Sequence, residues 1–263
     1  MRQWGEEGPA VLLHHATGLC KDVWREIAEP LAGKARLFAY DVRGHGDSDL
    51  PARELSWERY GADLAQVASA LVERTGQPFA LVVGHSLGGI AALEAMEQVP
   101  EQLPRGLLLD PVLIDAEEGK QRKGERRRIA VLTRMRRTQF DGAEQAFEEL
   151  RGQELYTTWS EASLRDYLGG GLREQDGQWT LKCAPTTEAA IYQLGETTIL
   201  SRLPDLAPRA ELLVSHVSPF SRAYGWLGEH VPSFGLNTLE TGHMIPMEAP
   251  ETVREAIQGA LGD

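Results

Sequence analysis

Apolar residues along the chain gather in short runs, and after most runs comes a stretch where they recur every three or four positions. The runs at 10–14, 35–40, 79–83, 106–109, 211–215 and 234–240 read as strands. Their near-continuous hydrophobicity suits strands buried on both faces. The segments 22–32, 57–75, 87–98 and 251–261 read as helices, and in the second Leu64, Val67, Ala68 and Leu71 fall on one face. Strand and helix in alternation predict an α/β fold, a mostly parallel sheet flanked by helices.

The rhythm stops between residues 115 and 208, where the composition is helical and highly charged. Roughly 90 residues without a sheet strand exceed what a loop in a compact domain holds. The expected organisation is a core of 1–114 and 209–263 interrupted by a helical cap at 115–208.

Charge and cysteine content narrow the function classes. A formal net charge of −12 repels a phosphate backbone and argues against nucleic-acid binding. Cys20 and Cys183 are too few for a disulfide framework in 263 residues and are expected to be reduced. The N-terminal residues lack the apolar run of a signal peptide, and no stretch approaches the length of a membrane span. The expectation is a cytoplasmic enzyme acting on a small molecule.

Gly84-His85-Ser86-Leu87-Gly88 carries the strongest chemical signal. It lies between an apolar run and an amphipathic stretch, the strand–turn–helix context in which G-x-S-x-G projects a serine hydroxyl above a sheet. Ser86 is the candidate nucleophile, and the Leu87 amide, at a helix N-terminus, is a candidate oxyanion donor. A serine hydroxyl needs a base. His243 follows the last strand and precedes the last helix, which fits that role better than His216 or His230, the other late histidines.

With these motifs the chain resembles the α/β-hydrolase family. His14-His15-Ala16-Thr17-Gly18 is similar to the family's oxyanion loop, and Asp41-Val42-Arg43-Gly44-His45-Gly46-Asp47-Ser48 to its D-x-R-G-x-G-x-S turn. The resemblance implies a second oxyanion donor in the Thr17 amide and a leading hairpin shortened at the start of the chain. It also raises a difficulty. Many members carry their acid in a turn after the penultimate strand, and Ser218 stands there instead. The family's other location, the end of the strand after the nucleophile helix, holds Asp110, which is therefore the expected acid; Asp115 and Asp205 are the alternatives. No metal or organic cofactor is implied.

Softer features concern the substrate. Lys120, Arg122, Lys123, Arg126, Arg127, Arg128, Arg134, Arg136 and Arg137 crowd one part of the cap. Either they form a solvated helix face, or one or two face the cleft and favour an anionic substrate. Cap aromatics (Phe140, Trp159, Tyr167, Trp179, Tyr192) either pack onto the core or line an apolar pocket. Leu19, Trp24 and Ile245 adjoin the motifs and are, with Trp159, pocket candidates; His15 either braces its loop or touches substrate. The expected reaction is hydrolysis of a carboxylic ester through an acyl-enzyme. A thioesterase, a lactonase or a carbon–carbon bond hydrolase shares the same residues, and a non-catalytic receptor is the rival from outside enzymology.

Overall fold

The computed structural model describes residues 1–50 and 55–262. The chain opens with β1 (Arg2–Trp4) and β2 (Ala10–His14), then a tight turn at Lys21–Trp24 and α1 (Arg25–Leu31). β3 (Arg36–Ala39), α2 (Trp57–Thr75), β4 (Leu81–His85), α3 (Leu87–Gln98) and β5 (Gly106–Leu109) follow. A long segment then holds α4 (Ala116–Gln121), α5 (Lys123–Met135), β6 (Gln139–Phe140), α6 (Ala143–Arg151), α7 (Glu161–Gly171), β7 (Leu172–Gln175), β8 (Gln178–Leu181), α8 (Pro185–Tyr192) and α9 (Leu203–Leu206). The chain closes with β9 (Ala210–Ser215), α10 (Ser221–His230), β10 (Gly235–Leu239), α11 (Ile245–Glu248) and α12 (Pro250–Leu261).

Seven strands form the main sheet in the order β1-β3-β2-β4-β5-β9-β10, parallel throughout except for β1. The central strands β2, β4 and β5 are wholly buried. Alternate side chains serve opposite layers, as a two-residue period requires. Leu12, Val82, Leu108 and Leu212 join the layer under α2, α3 and α10, whereas Val11, Leu13, Val83 and Leu109 join the layer under α1 and α12. Ser56 caps α2 by accepting from the Arg59 amide at 3.2 Å, and Gly76 ends it in the left-handed conformation. Helix α3 is buried on nearly every side, and it approaches α2 closely where Gly61 faces Glu94.

Register brings the strand ends level. His14 lies opposite Gly84, and His85 opposite Leu109. The residues that follow β2, β4 and β5 therefore emerge together at the carboxyl edge, where open α/β sheets place their sites.

The structure departs from the sequence expectations in several elements. The strand expected at 79–83 is Leu81–His85, because it runs through Gly84 and His85 into the turn despite their weak hydrophobicity. The stretch 22–32 is divided at Trp24 into a tight turn and α1. The segment 115–208 is not purely helical: β6, β8 and β7 form a small antiparallel sheet. Its hairpin turns at Asp176-Gly177, both at positive φ, a two-residue turn signal hidden in a charged run. Helix α10 was not expected, since Gly225 and Gly228 weaken its helical pattern. Among the described residues no helix is long and apolar enough to cross a membrane. Both cysteines are free and buried, and burial pushes both thiols up to about 12.

Candidate active site

Ser86 sits where β4 turns into α3, at φ 55° and ψ −112°, a region an L-residue occupies only at a cost. The surrounding glycines make this conformation possible. A β-carbon on Gly84 would lie 2.2 Å from the Gly88 carbonyl oxygen, and one on Gly88 would lie 2.1 Å from that of His14. Backbone bonds lock the turn: the Ser86 amide donates to Leu109 O at 2.9 Å, and Ser86 O accepts from Gly89 N at 2.9 Å and Val112 N at 3.2 Å. The hydroxyl is thus fixed by its own backbone and its neighbours, and Ser86 remains 7% exposed.

His243, on the loop after β10, brings its Nε2 to 3.0 Å from Ser86 Oγ. Its Nδ1 lies 2.5 Å from Asp110 Oδ2, at the end of β5. Asp110 is completely buried and has a positive φ of 44°. Its other oxygen, Oδ1, accepts from the Ser215 amide at 3.0 Å, and Oδ2 also accepts from the Ser218 hydroxyl at 3.0 Å. Ser218, the residue standing where many relatives of this pattern carry the acid, thus serves the aspartate of the neighbouring strand. Its position in the sequence was the available signal; its role was not read from it. His85 points away from Ser86 and donates from Nε2 to His243 O at 2.9 Å, which anchors the loop. Burial, with His243 nearby, holds the His85 imidazole down to about 3, so it stays neutral.

The loop after β2 is braced from beneath. His15 donates from Nδ1 to Ala16 O at 2.8 Å and accepts at Nε2 from Val42 N at 3.0 Å. Gly18 N donates to His45 Nε2 at 2.9 Å, while Gly18 O accepts from Tyr167 Oη at 3.2 Å. Burial keeps both imidazoles neutral, with His45 down to about 3. Asp41 ties the adjacent turn together, accepting from Lys21 N at 2.8 Å, Lys21 Nζ at 2.6 Å and Asp47 N at 3.0 Å. Thr17 lines the cleft beside Ser86 and His243. Among the described residues, the Thr17 and Leu87 amides donate to no protein group.

The cleft occupies about 750 Å³ with its mouth included. Besides Thr17, Ser86 and His243 it is walled by apolar side chains, chiefly Trp57, Ile114, Ile191, Leu194 and Phe220, by Arg122 just before α5 and by Arg126 within it. No aspartate or glutamate is among the residues that line it. Among the described residues no three His, Cys, Asp or Glu side chains gather as a metal site.

The pocket expected from the sequence lies elsewhere. Leu19, Trp24, Trp159 and Ile245 are buried in the layer shared by α1, α7, α11 and α12 and do not line the cleft. Leu19, Trp24 and Ile245 were chosen for being near a motif in sequence and Trp159 as an aromatic of the inserted segment, but each side chain falls in the buried core. Trp159 stacks edge-on against Tyr156 and Tyr167. His15 is also away from the cleft, as the brace described above. Of the aromatics singled out in residues 115–208 only Tyr192 reaches the lining, while Phe140 and Tyr167 are core residues.

Chemically, the arrangement can pass a proton from a hydroxyl to an imidazole whose other nitrogen is held by a buried carboxylate. Two unpaired amides beside that hydroxyl are suited to a developing negative charge.

Comparison with known proteins places the fold. An uncharacterized protein of Mycobacterium tuberculosis H37Rv is 35% identical over 103 residues, 39% of this chain and 29% of that protein, so the chain spans under a third of that relative's length. Lipase LipV of the same organism is 26% identical over 275 aligned positions, covering 100% of this chain and 97% of the lipase. The solved structure of E-2-(acetamidomethylene)succinate hydrolase superposes with a TM-score of 0.84 at 19% identity, over 100% of this chain and 94% of that one. The family model described as "Alpha/beta hydrolase family" matches residues 11–256. This chain belongs to the alpha/beta hydrolase family.

Proposed function

We propose that the protein is a serine hydrolase cleaving a carboxylic ester, with Ser86 as nucleophile, His243 as base and Asp110 as the acid that orients it. The observation that carries this reading is the unbroken contact from Asp110 Oδ2 to His243 Nδ1 (2.5 Å) and from His243 Nε2 to Ser86 Oγ (3.0 Å), at the wall of an apolar cleft. Two contiguous bonds of this kind are what activation of a weak nucleophile requires.

His243 removes the Ser86 proton as Oγ attacks the ester carbonyl. The Thr17 and Leu87 amides receive the oxyanion. His243 then protonates the departing alcohol, and a water activated by the same imidazole releases the acid. Asp110 orients the imidazole and stabilises the imidazolium without taking its proton. The steps use only these groups and water. Residues 115–208 act as a cap on the core of 1–114 and 209–263, for they supply Arg122, Arg126, Ile129, Ile191, Tyr192 and Leu194 to the cleft wall.

The experiment is a panel of p-nitrophenyl esters from acetate to palmitate beside thioesters, lactones and a diketone. The expected outcome is highest kcat/KM on an oxygen ester, abolished in Ser86→Ala. A thioester, lactone or diketone at the head of the ranking would move the reaction class while leaving the three residues in place.

A further inference from the structure

The cleft wall carries two guanidinium groups of unlike standing. Arg122 is fully engaged: Nη1 donates to Glu118 Oε1 at 2.9 Å and to Pro219 O at 2.5 Å, and Nε donates to Glu125 Oε2 at 2.8 Å. Arg126, one helical turn further along α5, is not. Its Nε and Nη1 are shielded from solvent and have no hydrogen-bond partner among the described residues. The carboxylate nearest in sequence, Glu125, is already bonded to Arg122 through both oxygens. By contrast Arg136, the other shielded cap arginine, reaches Glu188 at 2.6 Å.

A half-buried guanidinium with two shielded nitrogens that bond to nothing is a costly feature unless something answers it. Here the neighbourhood is an apolar wall with no acidic residue in it, within a chain whose net charge is −12. In such a setting the field of one cation is weakly screened, and the planar fork of arginine matches a carboxylate through two parallel bonds. We infer that Arg126 is the anion-binding group of the cleft, and that the ester cleaved at Ser86 carries a free carboxylate. This rests on the esterase reading of the same cleft. Arg122 shapes the wall, its charge being spent on Glu118 and Glu125.

Two matched substrate pairs test the assignment. In the first, mono-p-nitrophenyl esters of four- to six-carbon diacids are compared with their methyl-capped diesters. In the second, 4-acetoxybenzoate is compared with its methyl ester. The expected result is that the native enzyme favours the anion in at least one pair. In that pair Arg126→Gln lowers the anionic-to-neutral ratio of kcat/KM by about tenfold or more, the scale of one lost charge-assisted hydrogen bond. Arg126→Lys keeps part of the preference, and Arg122→Gln moves the ratio less than Arg126→Gln does. Preference for the neutral member in both pairs, or an Arg126→Gln ratio within about twofold of native, overturns the inference. Calorimetric titration of glutarate separates it from the esterase reading. Binding that weakens in Arg126→Gln upholds the anion site even if no ester is turned over, and equal or absent binding in both proteins counts against it.

Discussion

Ser218 shows how a single position can be displaced from one duty to another. On the proposed assignment the acid is Asp110, at the end of β5, and the Ser218 hydroxyl donates to its Oδ2 at 3.0 Å. That bond fixes the carboxylate against His243 Nδ1, and its removal frees one of the contacts that orient Asp110. Ser218→Ala is expected to lower kcat by about tenfold or more, the value of one neutral-to-charged hydrogen bond. Asp110→Asn removes the carboxylate itself and is expected to cost about 10⁴ in kcat, as the loss of the orienting charge does in such sites. A Ser218→Ala kcat equal to the native one would refute the coupling. Ser86, His243 and Asp110 were legible in the sequence because each sits at a strand end that a motif or an apolar run marks. The lining of the cleft was not. Trp57, Ile191 and Phe220 come from distant segments, and nearness to a motif along the chain wrongly favoured Leu19 and Trp24.

Elements whose apolar pattern marks their ends were the legible ones, whereas β4, buried throughout, was placed two residues early because Gly84 and His85 close it. β2 and β5, apolar along their whole length, were placed to the residue, as were α2 and α3. The three-residue edge strand β1 and the small sheet of β6, β7 and β8 carry too few buried positions for a period to show. Packing between elements is equally specific. A β-carbon on Gly61 of α2 would lie 2.3 Å from Glu94 Cβ on α3, whereas one on Gly259 of α12 meets nothing within 4 Å. The same substitution should therefore act oppositely in the two helices. Gly61→Ala is expected to destabilise by about 1–3 kcal/mol through overpacking, and Gly259→Ala to stabilise by about 0.5–1 kcal/mol through helix propensity. Thermal melts of the two variants check this, and a shift of the same sign in both would contradict it.

Across the whole molecule, four buried histidines are kept neutral: His14, His15, His45 and His85, the last two near 3. An unfolded histidine takes a proton near pH 6.5. Below that pH the unfolded chain binds more protons than the native one, so stability is complete above about pH 7 and falls as pH drops toward the native values. His45 and His85, lowered to about 3, each contribute up to about 1.4 kcal/mol per pH unit in that window. Urea unfolding at pH 7.5, 6 and 5 is expected to show a steep loss of stability, made shallower in His45→Asn. A flat profile over that range would rule the linkage out. These histidines surround the loop after β2 and the His243 loop, so acid should loosen the site and the fold together.

The central claim is that Ser86 is activated by His243 and Asp110. It is tested most directly by reacting the native protein with a fluorophosphonate and mapping the adduct by mass spectrometry. The account predicts one phosphonylated residue, Ser86, with labelling lost in Ser86→Ala and slowed by orders of magnitude in His243→Ala and Asp110→Asn, all three remaining folded. A folded native protein that stays unlabelled, or an adduct on another residue, would contradict it.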